Sequence, residues 1–428
     1  MLPVVLFITP ATAPILLLLP ALWLVRKVGY GRFVPATPLD GAMLLLLLML
    51  LVSSYVTFDL AFSLQKIAGV AFGVAVYYAT VTAARRSRRH LLAGVALFLG
   101  SGLAVAGLGL LGTQWSNKLP GLGAVTVLLP PRLLALPGAA GGFNPNQVAG
   151  TLLWLAPLAL AIALALLLHP PAGVRPWPRL AIALALLVSW GVALILTGVL
   201  LLSQSRSGLL GLTAAVAFVL LASAWLRSRR LPAAALLLLL LTTAGAAYAH
   251  RLGYLAPWPP AATLAAVDND AALAGSLDVR LEVWSRAIYG IQDFPITGLG
   301  IGAFRHVVHV LYPLFLFSPA ADVAHAHNHL LQTGLDLGIL GLIAYLALWL
   351  GAAAMLWQTW QRATALWART LVIGFGGALL GYFIYGLTDA VALGARPGFL
   401  FWWLLGLAAA LHRLVREKAE GRRQKREF

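Results

Sequence analysis

The chain contains no cysteine, so no disulfide framework holds it together. Charge is scarce too: charged residues make up 10% of the 428 positions, against about 25% in a soluble globular domain. That shortage excludes an ordinary soluble fold. Long internal repeats are absent, and so is a separate cleavable signal. The first apolar run is too long for an h-region and no basic stretch precedes it, so it reads as retained membrane structure.

What the chain has instead is apolar residues, 61% of the total, with a mean hydropathy of +0.90. A bilayer crossing takes roughly 20 apolar residues. Such runs fall at 3–25, 39–58, 60–84, 91–112, 147–168, 179–202, 207–226, 231–249, 330–357, 370–388 and 397–412. Pro10, Pro14 and Pro20 leave the first run as either one kinked span or a two-helix hairpin. The expectation is an all-α polytopic integral membrane protein with 11–12 transmembrane helices.

The net charge of +17 would suggest nucleic acid in a soluble protein; here its distribution decides. Basic residues gather on alternate loops: Arg26/Lys27/Arg32, Arg85/Arg86/Arg88/Arg89, Arg175/Arg179, Arg227/Arg229/Arg230, Arg362/Arg369, and the tail from Arg413 to Arg426. By the positive-inside rule this face is cytoplasmic. The predicted organisation is an N-terminal membrane region (1–249) with an outer loop at 113–146, an outer segment at 250–329, a second membrane region (330–412) and a basic cytoplasmic tail (413–428). The tail either lies on anionic headgroups or is disordered. No nucleic-acid partner is expected.

Function concentrates in long loops. Segment 250–329 holds six of the nine histidines: His250, His306, His309, His325, His327 and His329. Imidazole is the side chain best suited to proton transfer near neutral pH. A helix is expected over 278–291, a turn at Pro295–Gly300 and a short helix over 302–316. In the first outer loop, Asn146 is positioned to cap the next helix.

Several charges stand where the membrane disfavours them. Arg206 lies at the outer mouth between two spans, either snorkelling to the headgroups or binding an anion bidentately. Arg280 and Arg286 are six residues apart and point about 240° apart on a helix. Glu282, four residues before Arg286, gives that arginine an ion-pair partner, which ranks Arg280 above it as a ligand-binding group. Arg132 is a further anion-binding candidate. Lys66 and Asp336 are costly in or near spans, Asp336 with an Arg as its expected partner, and Asp389 stands near Arg396 as a local ion pair. The alternation His325/His327/His329 fits a metal site poorly, because once a helix begins His327 and His329 no longer project together.

His327-Asn328, nine residues, Gly338, two residues, Gly341 resembles the histidine motif of the bacterial O-antigen ligase family, whose superfamily includes O-antigen polymerases and protein O-oligosaccharyltransferases. Phe143-Asn144-Pro145-Asn146, Ser205-Arg206-Ser207-Gly208 and the stretch from Arg280 through Trp284 to Gly298-Leu299-Gly300-Ile301-Gly302 resemble family segments in the family's order. The resemblance implies glycosyl transfer at the periplasmic face of the inner membrane. The donor would be an undecaprenyl-diphosphate-linked glycan and the acceptor a hydroxyl of lipid A–core, with no metal or other cofactor. His327 at a helix N-terminus would be the base. Arg206 and Arg280 would hold the diphosphate, with Arg286, Arg132, Asn328 and His325 as further substrate-binding candidates. Polymerases of the superfamily carry Arg-x10-Gly in outer loops; no Arg of the outward segments has Gly at that spacing, Arg286 missing by one. A transporter or flippase for an anionic lipid is the alternative of another class, and it would show inverted repeats and broken helices in both halves.

Overall fold

The computed structural model describes residues 18–31, 33–113, 115, 123–126, 142–169, 179–227, 277–316, 322–391 and 393–427. Among them the fold is helical, with one isolated bridge, Thr113 to Phe143, and no strand. In chain order the helices are α1 (Leu18–Tyr30), α2 (Asp40–Val56), α3 (Leu60–Ala84), α4 (Arg88–Gly112), α5 (Gly123–Thr126), α6 (Pro145–Leu152), α7 (Ala156–Leu168), α8 (Arg179–Leu202), α9 (Arg206–Arg227), α10 (Leu277–Asp293), α11 (Phe304–Leu311), α12 (His329–Arg362), α13 (Leu366–Gly386) and α14 (Phe399–Glu427).

Seven of these are long and apolar enough to cross a membrane: α3, α4, α8, α9, α12, α13 and α14. The chain is an all-α, multi-pass membrane protein. The run expected at 147–168 is a bent pair, α6 and α7, meeting at 40°. Pro157 sits in the first turn of α7, where its missing N–H ends the ladder arriving from α6. The run at 39–58 appears as the 17-residue α2. Those at 231–249 and most of 3–25 lie outside the described residues. The tail is not loose. It continues α14 as helix, with Arg413–Glu417 and Arg416–Glu420 paired one turn apart and Arg422 donating to Thr364 Oγ1.

Without a hydrophobic force between helices in lipid, close packing needs small residues at the crossing points. α9 meets α13 at Gly211 and Gly381, where a Cβ on Gly381 would lie 2.9 Å from the Gly211 carbonyl oxygen. This contact sets the N-terminal end of α9 beside the C-terminal end of α13.

The outer segment has its own small core, in which Val283 and Ala287 of α10 pack with Leu299, Phe304, Val308, Val323, Ala326 and Leu335. It is joined to the membrane region by a break in α12. Gly338, at φ 70° and ψ −176°, interrupts the helix and frees the Leu335 carbonyl and the Ile339 N–H. The turn after α10 takes both: Leu299 N donates to Leu335 O and Ile339 N to Pro295 O, each at 2.7 Å. Asp336, inside the break, accepts from Gly302 N (2.8 Å) and Gln332 Nε2 (2.9 Å), with Lys66 packed against Gly302. These groups, rather than the expected arginine, satisfy the buried carboxyl.

Glycine alone tolerates the backbone at 338, and an added Cβ would run into Ile296 O and Pro295 O. Gly338→Ala is expected to destabilise the protein by about 1–3 kcal/mol or more, seen as a lowered melting temperature in detergent, with loosening of 295–302 in hydrogen exchange.

Candidate active site

Three separate segments converge on the C-terminal end of α13. Asn144 caps α6, its side chain accepting from Asn146 N at 2.8 Å, and the Asn146 carbonyl accepts from Tyr385 OH at 3.0 Å. The cap is therefore Asn144 and not Asn146, because Pro145, which has no N–H to offer, takes the first helical position. In the α8–α9 turn, Ser205 Oγ accepts from Gly208 N, and Ser207 Oγ accepts from Thr388 Oγ1 at 2.9 Å. Asn328 caps α12, accepting from Leu330 N and Leu331 N, while its amide donates to Leu387 O at 3.0 Å. Finally, His327 Nδ1 lies 3.5 Å from Asp389 Oδ1. Residues 385–389 thus receive four ties from three of the motif segments, two of them from His327-Asn328.

Asp389 is the residue that sequence reasoning undervalued. Its ion partner is His327 rather than Arg396, it is almost fully buried, and its Oδ2 has no hydrogen-bond partner. Burial works to raise its pKa, but His327, His325 and the Ala390 N–H outweigh that and hold the carboxyl below its ordinary value. An acid at the outer mouth of a span, in a chain with 13 acids in all, was the available signal.

His327 is not in the helix. It lies one residue before the Asn328 cap at φ 48°, and the first-turn N–H groups are turned onto Asn328. The charged group nearest its ring is Asp389, not the helix N-terminus. Gln204, at φ 50°, is the other non-glycine residue with positive φ among the described residues. One strained residue is His327 itself and the other stands two before Arg206, each at a cost on the order of 1–3 kcal/mol. His325 stacks against His327 with ring centres 4.2 Å apart, and its Nδ1 accepts from His327 N. Burial, with the neighbouring His327, pushes the His325 ring down to about 3, so it is neutral at physiological pH. His329 turns away into an aromatic core of Tyr345, Trp349, Tyr382 and Phe383, bonded to Tyr345 OH.

Arg206 opens α9 with an exposed side chain, and Arg280 lies half-buried on α10. The two are close enough to repel, and Arg280 is attracted to Asp389. Burial first, then Arg206, lowers the Arg280 pKa, while Asp389 opposes the shift; a guanidinium starts so high that it stays charged. Among the described residues neither arginine has a carboxylate at ion-pair distance, in contrast to Arg286, Arg305, Arg413 and Arg416. The buried Arg280 Nε and, one turn on, the Trp284 indole N–H lack hydrogen-bond partners. Buried donors left without a partner among the described residues call for an explanation, and a bound ligand is one.

Two of the expected substrate contacts are engaged elsewhere. Arg286 donates to Pro313 O and Ser285 Oγ and pairs with Glu282, whose carboxylate also accepts from Phe315 N and Leu316 N; this arginine fastens 313–316 onto α10. Both ends of the Asn328 amide are bonded to backbone, which makes it a cap and tether. Arg132 lies outside the described residues.

The poor ligand spacing of the histidine run needs amending as well. His325, His327 and Asp389 offer ligand atoms that all lie within 4.8 Å of one another, because Asp389 arrives from another helix.

Residues 191–346 match the family described as O-antigen ligase, a stretch that contains Arg206, Arg280, His325 and His327 and stops short of Asp389. No curated protein matches the chain. Over residues 191–346, a little more than a third of the chain, the protein is similar to the O-antigen ligase family.

Proposed function

We propose that the protein transfers a glycan from undecaprenyl diphosphate to a hydroxyl of lipid A–core at the periplasmic face of the bacterial inner membrane. The observation that carries this reading is an imidazole–carboxylate pair near two guanidinium groups that, among the described residues, have no carboxylate at ion-pair distance. The excess of basic residues on the opposite loops supports the sidedness.

In this reading Asp389 holds a proton on His327 Nδ1, which leaves the lone pair at Nε2 as the base. The 3.5 Å separation is longer than a hydrogen bond and tightens when substrate binds, as catalytic contacts commonly do. The acceptor oxygen attacks the anomeric carbon and gives its proton to His327 as the carbon–phosphate-oxygen bond breaks. Arg206 and Arg280 stabilise the charge that collects on the departing diphosphate. One displacement inverts the anomeric centre.

Both α6–α7 and α12 are broken, as a transporter would also show. Their causes differ, a proline in one and a loop-docked glycine in the other, so they do not form a related pair, and a transporter gives His327 and Asp389 no task.

The test supplies purified protein with undecaprenyl-diphosphate glycan and rough lipopolysaccharide, with excess EDTA and nothing else. A ladder on lipopolysaccharide is expected. Extension of the lipid-linked glycan without lipopolysaccharide would make the protein a polymerase, and loss of transfer on chelation, restored by one particular ion, would overturn the metal-free mechanism.

A further inference from the structure

His325, His327 and Asp389 have a second use. We infer that they form a binding site for one divalent first-row transition ion, zinc being the best fit, and that occupancy of this site switches transfer off. The inhibitory half rests on the reading of His327 as the base; the binding half does not.

The geometry favours an ion over a bare contact. The distance from His327 Nδ1 to Asp389 Oδ1 is 3.5 Å, too long for a hydrogen bond. Two ligands each about 2.0–2.1 Å from a tetrahedral zinc stand roughly 3.4 Å apart. Among the described residues neither His327 Nδ1 nor the second carboxylate oxygen of Asp389 has a hydrogen-bond partner, although both atoms are buried. The third ligand atom, from His325, is within 4.8 Å of the other two, so closing on an ion takes a small shift. Two contacts compete: the 3.2 Å bond that His325 Nδ1 accepts from His327 N and the 2.8 Å bond that Asp389 Oδ1 accepts from Ala390 N, the latter leaving that oxygen a second lone pair for an ion.

The donor set names the class of ion. Two imidazoles and one carboxylate suit zinc or copper, whereas magnesium and calcium prefer oxygen alone. Three protein ligands also leave a fourth position open. The surrounding cations act against a dication: Lys66 and Arg305 bear on His325, and Arg280 bears on Asp389. Arg305 is neutralised by Asp322, so Lys66 and Arg280 are the main opposition.

Occupancy would reverse the state of the base. With an ion on Nδ1, a neutral imidazole carries its remaining proton on Nε2, and the atom that should accept the hydroxyl proton can no longer do so. Asp389 is withdrawn from its positioning task by the same ion.

The full-length protein, stripped with EDTA and desalted, is titrated with zinc against a fluorescent zinc indicator, with glycan transfer measured in parallel. Expected are one tightly held zinc per chain, no competition from millimolar magnesium, and affinity at least about tenfold weaker in both His325→Ala and Asp389→Asn, each checked for an unchanged elution profile. Transfer should fall as the site fills and return with EDTA. Equal zinc binding by wild type and both variants overturns the site, and filled sites with undiminished transfer overturn the switch. Should no transfer be seen under any condition while zinc binding still depends on these residues, the proposed function fails and the metal site stands.

Discussion

His327→Ala is expected to lower glycan transfer by about 10²–10⁴-fold, the usual contribution of a general base, with the melting temperature and donor binding unchanged. The side chain is partly exposed, and its described contacts are with Asp389 and His325, so its removal should not unfold the protein. Asp389→Asn keeps the shape and removes the charge that selects the tautomer; kcat should drop while KM moves little. The neighbouring histidines separate chemistry from folding. His329→Ala would empty part of an aromatic core and act through stability, visible as a lowered melting temperature. Near-normal turnover in His327→Ala, with loss in a folded His325→Ala, would show that the base is the other imidazole.

Arg280→Ala and Arg206→Ala are each expected to cost about 10²–10³-fold in turnover, the scale of losing one fixed donor to a developing anion. Lysine should not repair either site, because it keeps the charge and loses the two-pronged geometry. Arg280 is the more sensitive of the two, being half-buried with an unbonded Nε. Arg286→Lys is the control. Its role is to hold 313–316 through Pro313 and Glu282, so the variant should show a small loss of stability and nearly normal kcat. Steady-state kinetics with varied lipid-linked donor would decide, and the diphosphate clamp is wrong if Arg206→Ala and Arg280→Ala behave as wild type while Arg286→Ala collapses.

Much of this arrangement could be read from the order of residues, because the signals are local. A helix at 278–291 appears as Leu277–Asp293, its ends marked by composition and by Pro295 just beyond. The i,i+4 pair of Glu282 and Arg286 is there, since helical spacing fixes it. The motif spacing from Asn328 to Gly338 acquires a physical meaning: it is the length of helix between the cap and the break that receives the 295–299 turn. What could not be read is whatever depends on two distant elements. Asp389 lies 62 positions after His327, and only the packing of α13 beside α12 joins them. Asn328 resembled a substrate contact because its amide partner, Leu387 O, is equally remote. Asn146 lost the cap to Asn144 for a local reason, the proline between them.

The four ties at 385–389 also set an order of events during synthesis. Asn146, Ser207, Asn328 and His327 are all made and inserted before α13 emerges, yet each waits for it. Until that helix enters the bilayer, the earlier helices are present but the residues they bond to are not. On the proposed function, a chain halted before residue 385 would be inserted yet unable to transfer glycan, so the activity would begin only after the last helices are threaded into the membrane.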